Sequence, residues 1–337
     1  MGAIDDADTA GVTSVRGVNL ASLDLNLLVS LDALLEQRSV TRAAARMGLS
    51  QPALSASLAR LRRHFGDELL SRAGNEYRLT PLAVQLRELV RVALGGVERV
   101  FAAQPGFDPA SSTREFSLLV SDYVVVVLGD TIAGLLAEEA PHTRLRLTPH
   151  SPAVVDTARQ VLLSTDLLLL PHGFVGDLSH RDLYRDEWVC VVAADNPVVE
   201  EGLTVEDLER LPWVATYHGQ SASTPAARQM RQLGIEPRVQ VVNESFLTVP
   251  VLVAGSDRIA LLQRRLVDLL PLGSGIRALP TPFPAGPLVE AMWWHPVYDD
   301  DPEHRYLRDV VSRAAELALS PGAREGIDLG DTAPREK

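Results

Sequence analysis

The stretch that decides the fold runs Ser39-Val-Thr-Arg-Ala-Ala-Ala-Arg-Met-Gly-Leu-Ser50-Gln-Pro-Ala-Leu-Ser-Ala-Ser-Leu-Ala-Arg-Leu-Arg-Arg-His-Phe-Gly66. Its punctuation marks two helices around a tight turn. Val40 to Met47 carries alanines at 43, 44 and 45, with Ser39 or Val40 at its cap. Gly48 breaks the chain. Ser50 is a strong N-cap for a helix from Gln51 to about Phe65, and Pro52 stands in the first turn, where its missing N–H costs nothing. Leu54, Leu58, Leu61 and Phe65 form one stripe of that helix. At about 100° per residue, Pro52, Ala56, Ala59 and Arg63 fall on the opposite side, flanked by Ser55 and Arg60. Small side chains let that face approach another surface closely, and the polar ones can reach base edges and phosphates. Upstream, Asp24 to Gln37 repeats Leu27, Leu28, Leu31, Leu34 and Leu35 at helical spacing. Together these segments predict a helix-turn-helix whose third helix enters the major groove of DNA. The competing reading is a plain three-helix bundle with a solvated arginine face.

Charge favours the first reading. The chain's formal charge is -12, yet residues 1–103 hold 12 Arg against 11 Asp and Glu, and the acidic excess lies beyond them. From Arg38 to Arg63 there are six arginines and no acid. A local basic patch, not the whole-chain charge, is what meets phosphates. Arg42, Ser50, Gln51, Pro52, Ser55, Arg60, Arg63 and Arg72 are the candidate DNA-binding residues. Gln51 and Ser55 are the expected base readers, Arg63 and Arg72 the expected phosphate contacts.

Gly66 ends the third helix. Glu68 to Ser71 and Glu76 to Leu79 are expected to pair around Ala73-Gly74-Asn75 as a wing. Thr80-Pro81 then opens a long helix, in which Leu86, Val90, Ala93, Val97 and Val100 follow a coiled-coil-like spacing. These five are the candidate dimerisation residues. The expected organisation is a leader at 1–22, a winged helix-turn-helix at 23–79, a linker helix at 80–104, a hinge at 105–113, an effector-binding domain at 114–320 and a tail at 321–337. Leader and tail read as disordered, being rich in acidic and small residues.

The stretch Leu49 to Leu61, preceded by Thr41-Arg-Ala-Ala-Ala45 and followed by Leu79-Thr80-Pro81, resembles the helix-turn-helix of LysR-type transcriptional regulators. Leu23-Asp-Leu-Asn-Leu-Leu28, Phe107-Asp-Pro109 and Arg114-Glu-Phe-Ser-Leu-Leu-Val-Ser-Asp-Tyr123 resemble the NodD-like branch of that family. The likeness covers roughly residues 20–320. It departs from the family at Ala56, where many members carry arginine, so that base contact is not carried over. The resemblance implies a homodimer or homotetramer on an interrupted palindromic operator, an aromatic effector and, for an activator, contact with RNA polymerase.

Beyond the hinge, strand-like and helix-like segments alternate. Phe116 to Val120, Arg144 to Leu147 and Asp166 to Leu170 read as strands, with helices at Ile132 to Ala140 and Val154 to Leu163. The alternation predicts an α/β domain with a parallel sheet. Glu187 to Ala193, Trp213 to Thr216 and Val239 to Val242 continue the pattern. Leu288 to Trp294 is expected to return to the first lobe before a final helix from about Asp301. Two lobes joined by two crossings resemble the periplasmic-binding-protein architecture of LysR effector domains. Ligands of open α/β sheets bind at strand C-termini. The candidate effector residues are therefore Ser121, Asp122, Tyr123, His150, Ser151, Thr216, His218, Phe246 and Val249. Each has a rival role: Ser121 and Asp122 as helix caps, the histidines as surface residues, Phe246 as core.

Enzyme classes find little support. The single lysine is Lys337 and the single cysteine Cys190, so P-loop, Schiff-base and cysteine-cluster chemistry lack their residues. The eight histidines show no metal-ligand spacing, and no metal or cofactor is expected. No apolar run spans a bilayer, and a basic, apolar leader peptide is lacking, which suits the cytoplasm. The alternative is a solute-binding protein without DNA-binding activity, which would leave the first hundred residues unexplained.

Overall fold

The computed structural model describes residues 14–15, 18–19, 24–73, 76–102, 107–196, 202–216, 223–271 and 273–320. Ser14–Val15 (β1) and Val18–Asn19 (β2) pair antiparallel; the rest of the expected leader and the expected tail lie outside the described residues. The chain divides into two compact units, Met1–Ala103 and Gln104–Lys337.

In the first unit, Leu25–Gln37 (α1), Val40–Met47 (α2) and Gln51–Phe65 (α3) begin at side-chain caps. Asp24, Ser39 and Ser50 accept the N–H of Asn26, Arg42 and Ala53. Gly48 and Gly66 close α2 and α3 at positive φ, a conformation that costs glycine nothing. Leu31, Leu34 and Leu35 of α1, Ala43 and Ala44 of α2, and Leu54, Leu58 and Leu61 of α3 form the core. Leu70–Ala73 (β3) and Glu76–Leu79 (β4) pair with Leu70 opposite Leu79. The first wing strand thus begins two residues later than its sequence suggests. Asp67 instead takes the Leu69 N–H and the Thr80 hydroxyl, tying the turn to the next helix. That helix, Pro81–Ala102 (α4), starts where the Thr80 hydroxyl oxygen accepts the Ala83 N–H.

The second unit holds two five-stranded sheets. The first lobe comprises Glu115–Val120 (β5), Arg144–Pro149 (β6), Leu167–Pro171 (β7), Ser179–Asp186 (β8) and Leu288–Trp294 (β14), in the order β6-β5-β7-β14-β8. The second comprises Trp188–Ala193 (β9), Pro212–Thr216 (β10), Arg238–Asn243 (β11), Ile259–Gln263 (β12) and Ile276–Pro280 (β13), in the order β11-β10-β12-β9-β13. The expected parallel sheet is realised only in part. β5 runs parallel to β6 and β7, and β10 to β11 and β12, but β14 and β9 are antiparallel to both their neighbours. A strand returning from the other lobe has no crossover helix to reverse its direction, so it enters antiparallel. The chain passes between lobes at Glu187, between β8 and β9, and again at 281–287.

Candidate functional site

On the first unit, the outer face of α3 is built as its spacing implies. Gln51, Pro52, Ser55, Ala56, Ala59 and Arg63 are exposed, whereas Leu54, Leu58 and Leu61 are buried. Ser50 is exposed and caps the helix. The arginines are less free than an acid-free stretch suggests, because the fold brings in acids from outside it. Arg60 pairs with Asp24 at 3.2 Å, Arg46 with Glu36 and Arg62 with Glu68 at 3.0 Å. Arg62 also donates to the Glu68 and Leu70 carbonyls, which makes it a strut under the wing. Arg42 donates to the Gln37 carbonyl at 2.8 Å. Arg63 donates to the Ala59 carbonyl of its own helix, and Arg72 is exposed on β3.

Of the expected linker-helix seam, Val90 is taken up by the core of its own unit. It is only 3% exposed and packs with Ala83, Leu86 and Leu94, alongside α1. A 4-3 spacing identifies an apolar face without saying what covers it. Leu89, Ala93, Gly96 and Val100 line a second face, roughly a quarter turn away. There Leu89 and Ala93 are exposed, Val97 beside them is half-buried, and Val100 is 71% exposed.

On the second unit, a pocket of ≈ 520 Å³, counted to its open mouth, lies between the lobes. Ser121, Tyr123, His150, Ser151 and Phe246 line it, as their strand-end positions suggest. Ser121 also caps the following helix, its hydroxyl oxygen accepting the Val124 N–H at 3.2 Å. Tyr123 is buried and donates its hydroxyl to the Asp186 carboxylate at 2.6 Å. Burial pushes the Tyr123 phenol up, and burial likewise holds the Asp186 carboxyl above its ordinary range. Burial lowers the His150 imidazole, which favours its neutral form.

Asp122 does something else. Its carboxylate reaches across to the other lobe, where it accepts the Ser245 hydroxyl at 2.7 Å and the Phe246 and Leu247 N–H groups at 3.2 and 3.0 Å. It is a clasp between lobes and does not line the pocket. Thr216 ends β10 with its hydroxyl buried and without a hydrogen-bond partner, but it too is absent from the pocket wall. Val249 is fully buried in Val249–Val253 (α10) and belongs to the core, because its helix packs on the second sheet. His218 lies outside the described residues.

Sequence reasoning missed much of the wall, including Phe174, Trp188, Gln263 and Glu290. A signal existed for two of them. Glu290 interrupts the apolar strand Leu-Val-Glu-Ala-Met-Trp-Trp, and Gln263 ends the run Ile-Ala-Leu-Leu. A polar residue that breaks an apolar strand invites a question about its partner. Elsewhere in the first lobe His172, His180 and Asp182 converge, although their spacing suggests nothing. The His172 ring nitrogen lies 2.6 Å from the Asp182 carboxylate, and His180 lies against Trp293.

Residues 25–83 match the model of the "Bacterial regulatory helix-turn-helix protein, lysR family", and residues 110–316 match the "LysR substrate binding domain". The chain is 34% identical over 303 residues to Nodulation protein D 2 of Rhizobium tropici, covering 89% of this chain and 96% of that protein. It is 35% identical over 305 residues to Nodulation protein D 1 of Mesorhizobium japonicum, again 89% and 96%. Among solved structures it shares its fold with full-length CbnR in complex with its target DNA: TM-score 0.61, 14% identity, 87% of this chain and 100% of that one. No helix among the described residues is long and apolar enough to cross a membrane.

Proposed function

Because the chain belongs to the LysR family of DNA-binding transcription regulators, with a helix-turn-helix and a substrate-binding domain, we infer that α3 reads an operator and that a small effector held between the lobes modulates the outcome. The observation that carries this reading is the outer face of α3. Small residues at 52, 56 and 59 permit close approach, and Gln51, Ser55 and Arg63 are exposed alongside them, side chains suited to base edges and phosphate. The helix-turn-helix match speaks against a solute-binding protein without DNA-binding activity, and the family's members regulate transcription rather than catalyse reactions.

The chain acts as a homodimer or homotetramer on an interrupted palindrome. Leu89, Ala93 and Val100 of α4 form the self-association face, taking the place of Leu86 and Val90. Its site of action is the cytoplasm, where the DNA is; as an activator it would also meet RNA polymerase. The effector is aromatic in part, since Tyr123, Phe174, Trp188 and Phe246 wall the pocket. To switch the protein, a ligand must bind one lobe arrangement better than another. A thermal-shift screen of the full chain with aromatic compounds tests this: a true effector raises stability by mass action and alters the DNase footprint at the same concentration. Compounds that stabilise the protein yet never alter its footprint would refute the modulation.

A further inference from the structure

Three polar side chains on the pocket wall have atoms with no hydrogen-bond partner: Trp188 Nε1, Gln263 Oε1 and Glu290 Oε1. Trp188 is 5% exposed, Gln263 and Glu290 1% each. An unmet buried polar atom carries the desolvation penalty of its group, so three along one cavity wall point to a missing partner. They also straddle the interlobe crossings. Trp188 and Gln263 sit directly opposite one another on β9 and β12 of the second lobe. Glu290 lies on β14 of the first lobe, opposite Tyr184. A group that engages all three therefore touches both lobes beside the hinge.

Resting on the effector reading above, we propose that Trp188, Gln263 and Glu290 form a polar subsite for a hydroxyl group on an otherwise apolar, uncharged effector, and that this subsite rejects carboxylates. A hydroxyl both donates and accepts, so it takes the indole N–H while giving its own proton to an oxygen of Gln263 or Glu290. It fits whichever way the Gln263 amide is turned. A carboxylate would enter a pocket whose described wall holds no Arg or Lys. It would also come near the charge of Asp186, which helps to raise the Glu290 carboxyl. Arg228 stacks over Phe174, 4.4 Å from the ring centroid, but does not line the pocket. An ammonium would suit Glu290 and leave the indole N–H unmet. Burial pushes the Glu290 carboxyl up to about 8, so near neutrality it is mostly protonated and can itself donate to the hydroxyl oxygen.

The test uses the full chain and three probes on one ring scaffold: naphthol, naphthoate and naphthylmethylammonium, titrated calorimetrically near neutral pH. Naphthol is expected to bind at least about tenfold tighter than either charged probe. Gln263→Leu should weaken naphthol roughly tenfold without lowering the melting temperature of the free protein, since it removes an unmet oxygen rather than a structural bond. Trp188→Phe should weaken naphthol as well. Two results would overturn the hydroxyl subsite while leaving the pocket reading intact, provided that Phe246→Leu weakens binding. One is tighter binding of naphthoate or of the ammonium. The other is naphthol affinity unchanged in both Gln263→Leu and Trp188→Phe. If no probe shows binding that Phe246→Leu weakens, the pocket reading fails, and the subsite with it.

Discussion

Asp122→Ala should open the effector domain. The carboxylate takes three hydrogen bonds from the opposite lobe, from the Ser245 hydroxyl and the Phe246 and Leu247 N–H groups. Bonds to a charged acceptor contribute about 1.5–3 kcal/mol each when well buried. Asp122 is half-buried, and water replaces its partners once the lobes part, so about 1 kcal/mol each is the better figure. The closed arrangement should thus lose about 2–4 kcal/mol, a shift of roughly 30- to 1,000-fold toward open forms. The Tyr123 ring against Phe246 and the Arg228 guanidinium over Phe174 still hold the lobes, so opening is expected to be partial. The assay is a spin-label distance measurement between cysteines introduced at Glu138 of the first lobe and Glu209 of the second, both exposed. The native Cys190 will not interfere, because it is fully buried and its thiol is pushed up to about 12. Wild type should give one narrow distance distribution, and Asp122→Ala a longer population beside it. Ser245→Ala, which removes one of the three bonds, should shift the balance by about a third as much. Identical distributions in wild type and Asp122→Ala would refute the clasp.

Further consequences concern stability and assembly. Glu290 has its carboxyl raised from 4.5 to about 8 by burial first and by Asp186 second. The folded chain therefore keeps a proton that the unfolded chain has lost between those values. This contribution is complete below about pH 4.5 and drains away as pH climbs through 8, on the order of 5 kcal/mol in all. Glu290→Gln should consequently gain in melting temperature relative to wild type between pH 5 and 9, with His150 and His304, lowered by burial, acting equally on both proteins. A difference that stays constant over that range would count against it. Val90→Asp buries an unpaired charge and should cost about 3–5 kcal/mol of unit stability in chemical denaturation. Val100→Asp, on the exposed face, should change stability by less than about 0.5 kcal/mol yet weaken self-association in sedimentation velocity. The reverse pattern would restore the original seam.

How much was legible differs between the two units for physical reasons. The boundaries of α2 and α3 follow from Ser50, Pro52, Gly48 and Gly66, because capping and turn chemistry are local. Along α4, Val90 and Val100 both satisfy an apolar period, and only the packed neighbours distinguish core from free face. β8, Ser-His-Arg-Asp-Leu-Tyr-Arg-Asp, was not foreseen. It is an edge strand with a mostly solvated sequence, held by its ladder with β14. Ser121, Tyr123, His150 and Ser151 follow strand ends and line the pocket, a placement that depends on topology alone. Trp188, Gln263 and Glu290 escape the strand-end rule, because they come from three strands of two lobes and converge only in the packed domain. Asp122, expected at the effector, instead binds partners more than a hundred residues away, which no local pattern reveals.

Base reading by α3 is tested by selection of duplexes from a random-sequence library by the full chain at physiological salt, with wild type and Gln51→Ala run in parallel. Wild type should enrich a two-fold-related pair of half-sites about one helical turn, or a multiple of it, apart. Gln51→Ala should enrich the same spacing with one base position per half-site relaxed, a loss of about 1–3 kcal/mol at that position. Arg63→Ala, as a phosphate contact, should keep the motif and lower affinity for every sequence alike. No enriched motif, or a Gln51→Ala motif identical to that of wild type at every position, would contradict base reading by α3.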